Sequence, residues 1–195
     1  MAIDIKEFSD FEALVRTNAG QTELKCGKYL HHAAALLVPG TPVKIAMGAE
    51  DRNFYGSTDF VVSATLLDDQ NNEIDCAYIW ELKAPQSYLF EFDDNANRCR
   101  PTLEFVKAEN QLLHYVTQAQ SDQLFRQRFG ILDYRNIRIG GIIIGRSNDR
   151  MLKGASSDAD TRKAKFSLSV RENIFYPAFG LRVLTWDRVL TFVKP

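Results

Sequence analysis

The chain has little cysteine, little histidine and almost no net charge. Its three cysteines, Cys26, Cys76 and Cys99, are widely spaced and form no Cys-x-x-Cys pair. That argues against a disulfide framework and a thiolate zinc site, and it fits reduced thiols. Three histidines do not make a second metal centre: on a regular helix His31 and His32 point to different faces, and His114 faces away from its neighbour Gln111. Cys26 near these histidines lacks the orienting acid and oxyanion loop of a thiol hydrolase. Gly140-Gly141 has no phosphate-loop context, so nucleotide hydrolysis is not indicated. The apolar runs, such as 33–38 and 142–144, fall far short of the roughly 18 residues of a membrane span. The opening residues have no signal-peptide pattern. A cytoplasmic protein without membrane contact is expected.

What is present is ordinary for a globular domain: 45% hydrophobic and 25% charged residues in 195 positions, enough for one well-filled core. The near-zero net charge of −1 hides an asymmetry. Residues 1–125 carry ten Lys and Arg against nineteen Asp and Glu, a balance of −9; residues 126–195 carry fourteen against six, a balance of +8. Ten of those fourteen are arginine, the side chain best shaped for bidentate phosphate contact. Arg126, Arg128, Arg135, Arg138, Arg146, Arg150, Arg162, Lys163 and Lys165 are the candidates for a nucleic-acid surface. The competing readings are chance surface charge and ion pairing with the acidic first part.

The periodicity gives an α/β chain. Ile3–Thr17 and Gln21–Leu37 read as helices, the second ended by Pro39-Gly40, and Pro42–Met47 as a short strand. Phe60, Val62, Ala64 and Leu66 alternate with Asp59, Val61, Ser63 and Thr65, a strand pattern. The cluster 68–73 is a turn in which Asn tolerates positive φ, and Ile74–Leu82 returns as a buried strand stopped by Pro85. A polar connection, 86–100, leads to a long helix opened by Pro101 and running to about Phe129. Its core stripe is read as Leu103, Val106, Leu113 and Val116. A buried strand over 138–146, a polar loop over 147–164, a helix over 166–175, a strand at 181–185 and a closing helix capped by Thr185 complete the order. A strand–helix–strand crossover within it implies a mixed central sheet flanked by helices. Arg146 and Trp186 are read as packing or capping residues.

The chemistry concentrates at one end of the hairpin. Successive strand residues alternate faces, so Glu81 and Lys83 share a face, and Trp80 and Leu82 the other. Antiparallel pairing brings the start of the first strand, Asp59, beside them. Two carboxylates and a backbone carbonyl, that of Leu82, suit a hard cation such as Mg²⁺. A lysine beside them can orient water or stabilise a pentacovalent phosphate. Gln111 and Tyr115, four apart on the long helix, share a face that can look at this point. An acid-x-lysine triplet at a strand end is also the ordinary signature of a solvated ion pair, and a lone glutamine is often a boundary residue.

Asp59, Glu81-x-Lys83 and Gln111-xxx-Tyr115, in that order, resemble the PD-(D/E)xK nucleases of the branch carrying the QxxxY motif. Glu23, Asp59-Phe60-Val61, Trp80-Glu81-Leu82-Lys83-Ala84-Pro85, Ile143-Ile-Gly-Arg146 and Leu184-Thr-Trp-Asp187 extend the resemblance to Shedu-type anti-phage nuclease domains over about residues 21–193. Thr58 stands where a proline often precedes the metal aspartate. The resemblance implies an N-terminal helical segment over 1–20 and a restriction-endonuclease-like domain over 21–195. It also implies Mg²⁺-dependent cleavage of double-stranded DNA, with Mn²⁺ as a possible substitute, and homo-oligomerisation. Asp59, Glu81 and the Leu82 carbonyl would hold metal, with Glu23 or Glu50 as the extra acid. Lys83 would act on water and phosphate, and Gln111 and Tyr115 would assist. A non-cutting nucleic-acid-binding module and a regulatory subunit on the same fold are the rival readings.

Overall fold

The computed structural model describes residues 3–47, 59–93 and 98–195, with backbone only at Met47 and Asp59. A five-stranded mixed sheet is its centre. Strands β1 (Lys44–Met47), β2 (Asp59–Leu67), β3 (Glu73–Leu82), β6 (Ile137–Ile143) and β8 (Arg182–Leu184) lie side by side in that order. The first three pair antiparallel, and β6 and β8 join parallel to β3. A smaller sheet holds β4 (Phe90–Asp93) between β5 (Arg98–Pro101) and β7 (Leu152–Lys153).

The β2–β3 hairpin follows its turn chemistry. Asp68 accepts from the backbone N–H of Gln70 and of Asn72, each at 2.8 Å, and Asn71 takes φ +62°. The two sheet faces bury separate cores. Helix α4 (Leu103–Ser121) covers one, packing Phe105, Ala108, Leu112 and Tyr115 against Val61, Ala77, Ile79 and Ile142. Helices α1 (Ile5–Arg16), α2 (Glu23–Gly27), α3 (Ala34–Leu37) and α7 (Trp186–Val193) cover the other, where Phe11, Cys26 and Val189 meet Phe60, Tyr78, Trp80 and Leu82. The segment 1–20 thus supplies Phe11 and Val15 to the same core as the strands.

Several sequence expectations are corrected. The stretch 21–37 is not one helix: α2, a 3₁₀ turn over Leu30–Ala33 and α3 divide it. The His31 and His32 rings stand 3.7 Å apart rather than facing away from each other. The connection 86–100 contains β4 and the start of β5, whose partly covered Phe92 and Cys99 pack on the α4-side core. Pro101 closes β5, and Thr102 is the α4 cap, accepting from Phe105 N–H at 3.2 Å. The long helix stops at Asp122, whose carboxylate takes the N–H groups of Leu124 and Phe125 and restarts the chain as α5 (Gln123–Phe129). That competition of a short acidic side chain with the helix ladder explains the break. Leu103 and Leu113 are exposed; Val116 is buried as expected, in a stripe that runs through Phe105, Ala108, Leu112, Tyr115 and Ala119. Helix α6 begins at Asp158 within the expected loop and runs to Val170, followed by a π-helical turn over Arg171–Phe175. Thr185 precedes α7 without a side-chain cap bond.

One irregularity organises the sheet. Between Ile79 and Trp80 the β3–β6 register slips by one: Ile79 pairs with Ile139, but Trp80 pairs with Gly141. Gly140 is the extra residue of a bulge. A one-residue slip moves following side chains to the opposite face. Ile137 and Ile139 before the bulge, and Ile142 and Ile144 after it, therefore all reach the α4 side. The indole of Trp80, fully buried, fills the space the glycines leave: a methyl group on Gly140 would stand 2.3 Å from Trp80 Nε1. Arg182 covers the ring, its guanidinium 4.8 Å from the ring centroid, while it donates to the Leu36 and Leu37 carbonyls at the end of α3.

Arg146 is the second fastening. It is 4% exposed and donates to the Val15 carbonyl at 2.7 Å, the Thr17 carbonyl at 3.2 Å and Asn18 Oδ1 at 2.6 Å. Its Nε donates to Asp149 at 2.7 Å. It ties the end of α1 to the loop after β6, as a packing and capping residue. Burial alone would raise the Asp149 carboxyl, but the hydrogen bonds and charge of Arg146, with the charge of Arg150, hold it below the ordinary carboxylate range.

Two outcomes are expected. Gly140→Ala should lower the stability measured by urea unfolding by about 2–3 kcal/mol, because a packed core resists added volume; an unchanged midpoint would contradict the Trp80 stacking. Asp149 is a carboxylate of depressed pKa, so its stabilising effect is present above its unfolded value and is lost as pH falls through the folded one. The stability gap between the native chain and Asp149→Asn should therefore be widest near neutrality and narrow as the pH falls through and below the ordinary carboxylate range. A gap that grows on acidification would refute the Arg146 tie.

Candidate functional site

Strand β3 is central in the sheet, so its last turn-outs are enclosed by neighbours on both sides. Ala77 and Ile79 point to α4, and alternation carries Glu81 and Lys83 to the same face. In register, Glu81 stands opposite Asp59 of β2 and beside Ile142 of β6. Lys83 N–H donates to the Ile143 carbonyl at 2.9 Å, so the odd positions here turn their backbone toward β6. Asp59 and Glu81 therefore form the non-hydrogen-bonded type of antiparallel pair, the one in which opposed Cα atoms stand closest, about 4.5 Å. By the same alternation the Leu82 backbone points to the β2 side.

Glu81 is fully buried. Its Oε1 lies 2.7 Å from Lys83 Nζ, and Lys83 is 16% exposed in its side chain. The same ammonium donates to Gln111 Oε1 at 2.7 Å. Gln111 comes from α4, one turn beyond the buried Ala108, which seats the helix close enough for an amide to reach the strand. The carbonyl of Lys83 accepts from Trp186 Nε1 at 2.6 Å. A carboxylate and an ammonium removed from water this way carry a desolvation cost of several kcal/mol each, which their attraction offsets only in good geometry. Such a pair is a weak device for stability and a common one where chemistry is done.

The other sequence candidates fall as follows. Tyr115 is 8% exposed within the α4-side core, where its ring packs with the apolar cluster. Glu23 opens α2, on the far side of the sheet from α4, and its Oε2 is buried with no hydrogen-bond partner among the described residues. Glu50 lies outside the described residues, as do Thr58 and the Asp59 side chain. Leu82 sends its side chain into the α1–α7 core. Burial pushes the Cys26 thiol up to about 12, with its hydrogen bond to Thr22 opposing and Glu23 adding to the rise, which leaves it inert. His114 is exposed. Among the basic candidates, Arg135 is engaged by Asp133, Arg146 by Asp149 and the end of α1, and Arg150 by Tyr88 and Asn18. Internal ion pairing thus takes part of the basic excess. Arg138, Arg162, Lys163 and Lys165 are exposed.

Reading the strand pattern alone missed two contributors. The Trp186 bond to Lys83 joins residues 103 apart in sequence, and no local pattern encodes it. The Gly140 bulge had a signal, since two adjacent glycines inside an apolar strand mark a bulge or a close approach.

Among the described residues no group of three or more His, Cys, Asp or Glu side chains could hold a metal ion. The donors that the register and burial single out at this end of the sheet are oxygen: the Glu81 carboxylate and the position of Asp59 opposite it. Oxygen donors of this kind fit a hard divalent cation rather than a soft one. No protein-family model matches the chain, and no curated protein matches it.

The pair can be tested without any substrate. Replacing a buried ion pair by apolar residues of similar volume is often neutral or stabilising by about 1–4 kcal/mol, whereas removing one partner costs about 3–5 kcal/mol. Lys83 keeps some solvent contact, so values at the low end of each range apply. Glu81→Leu with Lys83→Met should match or exceed the native melting temperature, and Lys83→Met alone should fall below it. A double variant less stable than either single one would make the pair a structural element.

Proposed function

We propose that the chain is a metal-dependent nuclease that hydrolyses DNA phosphodiester bonds on a restriction-endonuclease-like fold. The observation that carries this reading is the buried Glu81–Lys83–Gln111 arrangement at the end of β3, with Asp59 opposite Glu81 in the register. A bound Mg²⁺ or Mn²⁺ would supply Lewis-acid polarisation of the phosphate and a more acidic water. Asp59 and Glu81 would hold it, with the Leu82 carbonyl as a further oxygen donor.

Lys83 has the second part. Its ammonium is held between two oxygens, one anionic and one neutral, and among the described residues these take two of the three donors of an ammonium. The third can orient the attacking water or bind a non-bridging phosphate oxygen as charge develops on it. Gln111 fixes the lysine without adding charge. Tyr115 supports α4 by packing. Exposed Arg128, Arg138, Arg162, Lys163 and Lys165 would meet the DNA backbone. Double-stranded DNA as substrate, homo-oligomerisation and a role in anti-phage defence rest on the resemblance to Shedu-type domains alone.

Supercoiled plasmid with Mg²⁺ against EDTA is the test. The native protein should nick or linearise it only with metal. Glu81→Ala and Lys83→Ala should each lower the rate by at least about a hundredfold while a gel shift in EDTA shows DNA binding retained. Glu81→Ala should also lose metal affinity by calorimetry, and Lys83→Ala should keep it. Full nicking by Lys83→Ala would remove the lysine from the chemistry.

A further inference from the structure

The polar side of Lys83 accounts for only one end of the residue. Strand β3 ends at Leu82, so Lys83 is the first residue beyond the strand, and Pro85 two residues later has no N–H to extend it. A lysine side chain has four rotatable carbons and about 2 kcal/mol of rotamer entropy, so its ammonium is only as well placed as its backbone. Two bonds hold that backbone: the N–H donates to Ile143, and the carbonyl accepts from the indole N–H of Trp186. Trp186 is itself immobile. It is fully buried, its own N–H donates to the Gly145 carbonyl at 3.0 Å, and its ring meets Phe11 edge-on at 6.2 Å.

We propose that Trp186 is a positioning residue for Lys83, its indole N–H fixing the Lys83 carbonyl so that the ammonium stays between Glu81 and Gln111. The inference rests on the catalytic part given to Lys83 above. It gives the first turn of α7 a function that packing alone does not require. A phenylalanine would fill much of the same core volume, but it has no donor for the carbonyl. Without that bond the turn from Lys83 to Pro85 is held by the Ile143 bond and by Ala84, whose carbonyl accepts from Gly145 N–H at 3.2 Å. The lysine then samples positions off the line joining its two oxygen partners.

The test compares Trp186→Phe with Val189→Ala in the full chain. Val189 lies in α7, is fully buried and sits in the same core, so its truncation reports simple loss of packing. Two readouts are taken: isotope-edited NMR of the Lys83 ε-methylene, which needs no activity, and plasmid-nicking kcat and KM at saturating Mg²⁺. Trp186→Phe should shift or broaden the Lys83 signal and lower kcat about tenfold or more, with KM within about twofold. Val189→Ala should lower the melting temperature while leaving the Lys83 signal and kcat near native. Equal loss of kcat in both variants at equal loss of stability would overturn the proposal, as would a native Lys83 signal in Trp186→Phe. A native protein that never nicks would sink the nuclease reading alone, because the NMR comparison still decides whether Trp186 positions Lys83.

Discussion

The steric fit of Trp80 against Gly140 and Gly141 is the constraint on which the centre of the molecule depends. The ring occupies the room that two absent side chains leave, and the strand takes up one extra residue to let it in. The bulge then turns Ile142 and Ile144 to the face already used by Ile137 and Ile139. Were the ladder regular, Ile142 would point into the α1–α7 core, and Glu81 would face a different neighbour on β6. Arg182 closes the other side of the ring and ties the end of α3 to the start of β8. Burial lowers the pKa of that guanidinium, a sign that it is embedded in the structure rather than lying over it.

Above this packed centre the sheet carries a charge arrangement that a protein selected for stability alone would not need. Glu81 has no exposure, and Lys83 has little. The hydrophobic alternatives at both positions are easy to supply, since Ala77, Ile79 and Ile142 already line the same face. Retaining a carboxylate, an ammonium and an amide where apolar residues would pack as well is the pattern of strain and polarity kept for chemistry. The three groups come from a strand, the residue just beyond it, and a helix. Their mutual distances are therefore held by the sheet and by the packing of α4, not by a loop.

Legibility differed by residue. The β2–β3 hairpin was readable because its two signals are local: period-two alternation, and Asp68 with Asn71 and Asn72 making the turn. The pairing of Asp59 with Glu81 followed from it by counting. The stripe of α4 was misread because Leu103 and Leu113 look like core residues in one dimension. The face that α4 buries is chosen by the sheet beneath it, and Phe105, Leu112 and Ala119 fit that surface. The helix over 21–37 was misread because apolar periodicity alone does not distinguish one regular helix from α, 3₁₀ and α pieces joined in series. Strands β4, β5 and β7 were missed because they are short, and β4 and β7 find each other across about 60 residues of chain.

By itself the sequence determined the α/β class of the protein and which residues meet at the end of β3. Alternation placed Glu81 and Lys83 on one face, the turn residues set the register that puts Asp59 opposite Glu81, and the spacing of Gln111 and Tyr115 placed both on one side of a helix. These are local consequences of backbone geometry, and they survive any packing that keeps the elements. Tertiary structure alone decided which side of α4 meets the sheet, that Gln111 accepts from the Lys83 ammonium, that Arg146 ties down the end of α1, and that Trp186 reaches back to the Lys83 carbonyl. Each of these joins residues far apart in the chain, and shape complementarity between distant surfaces has no signature in a one-dimensional pattern.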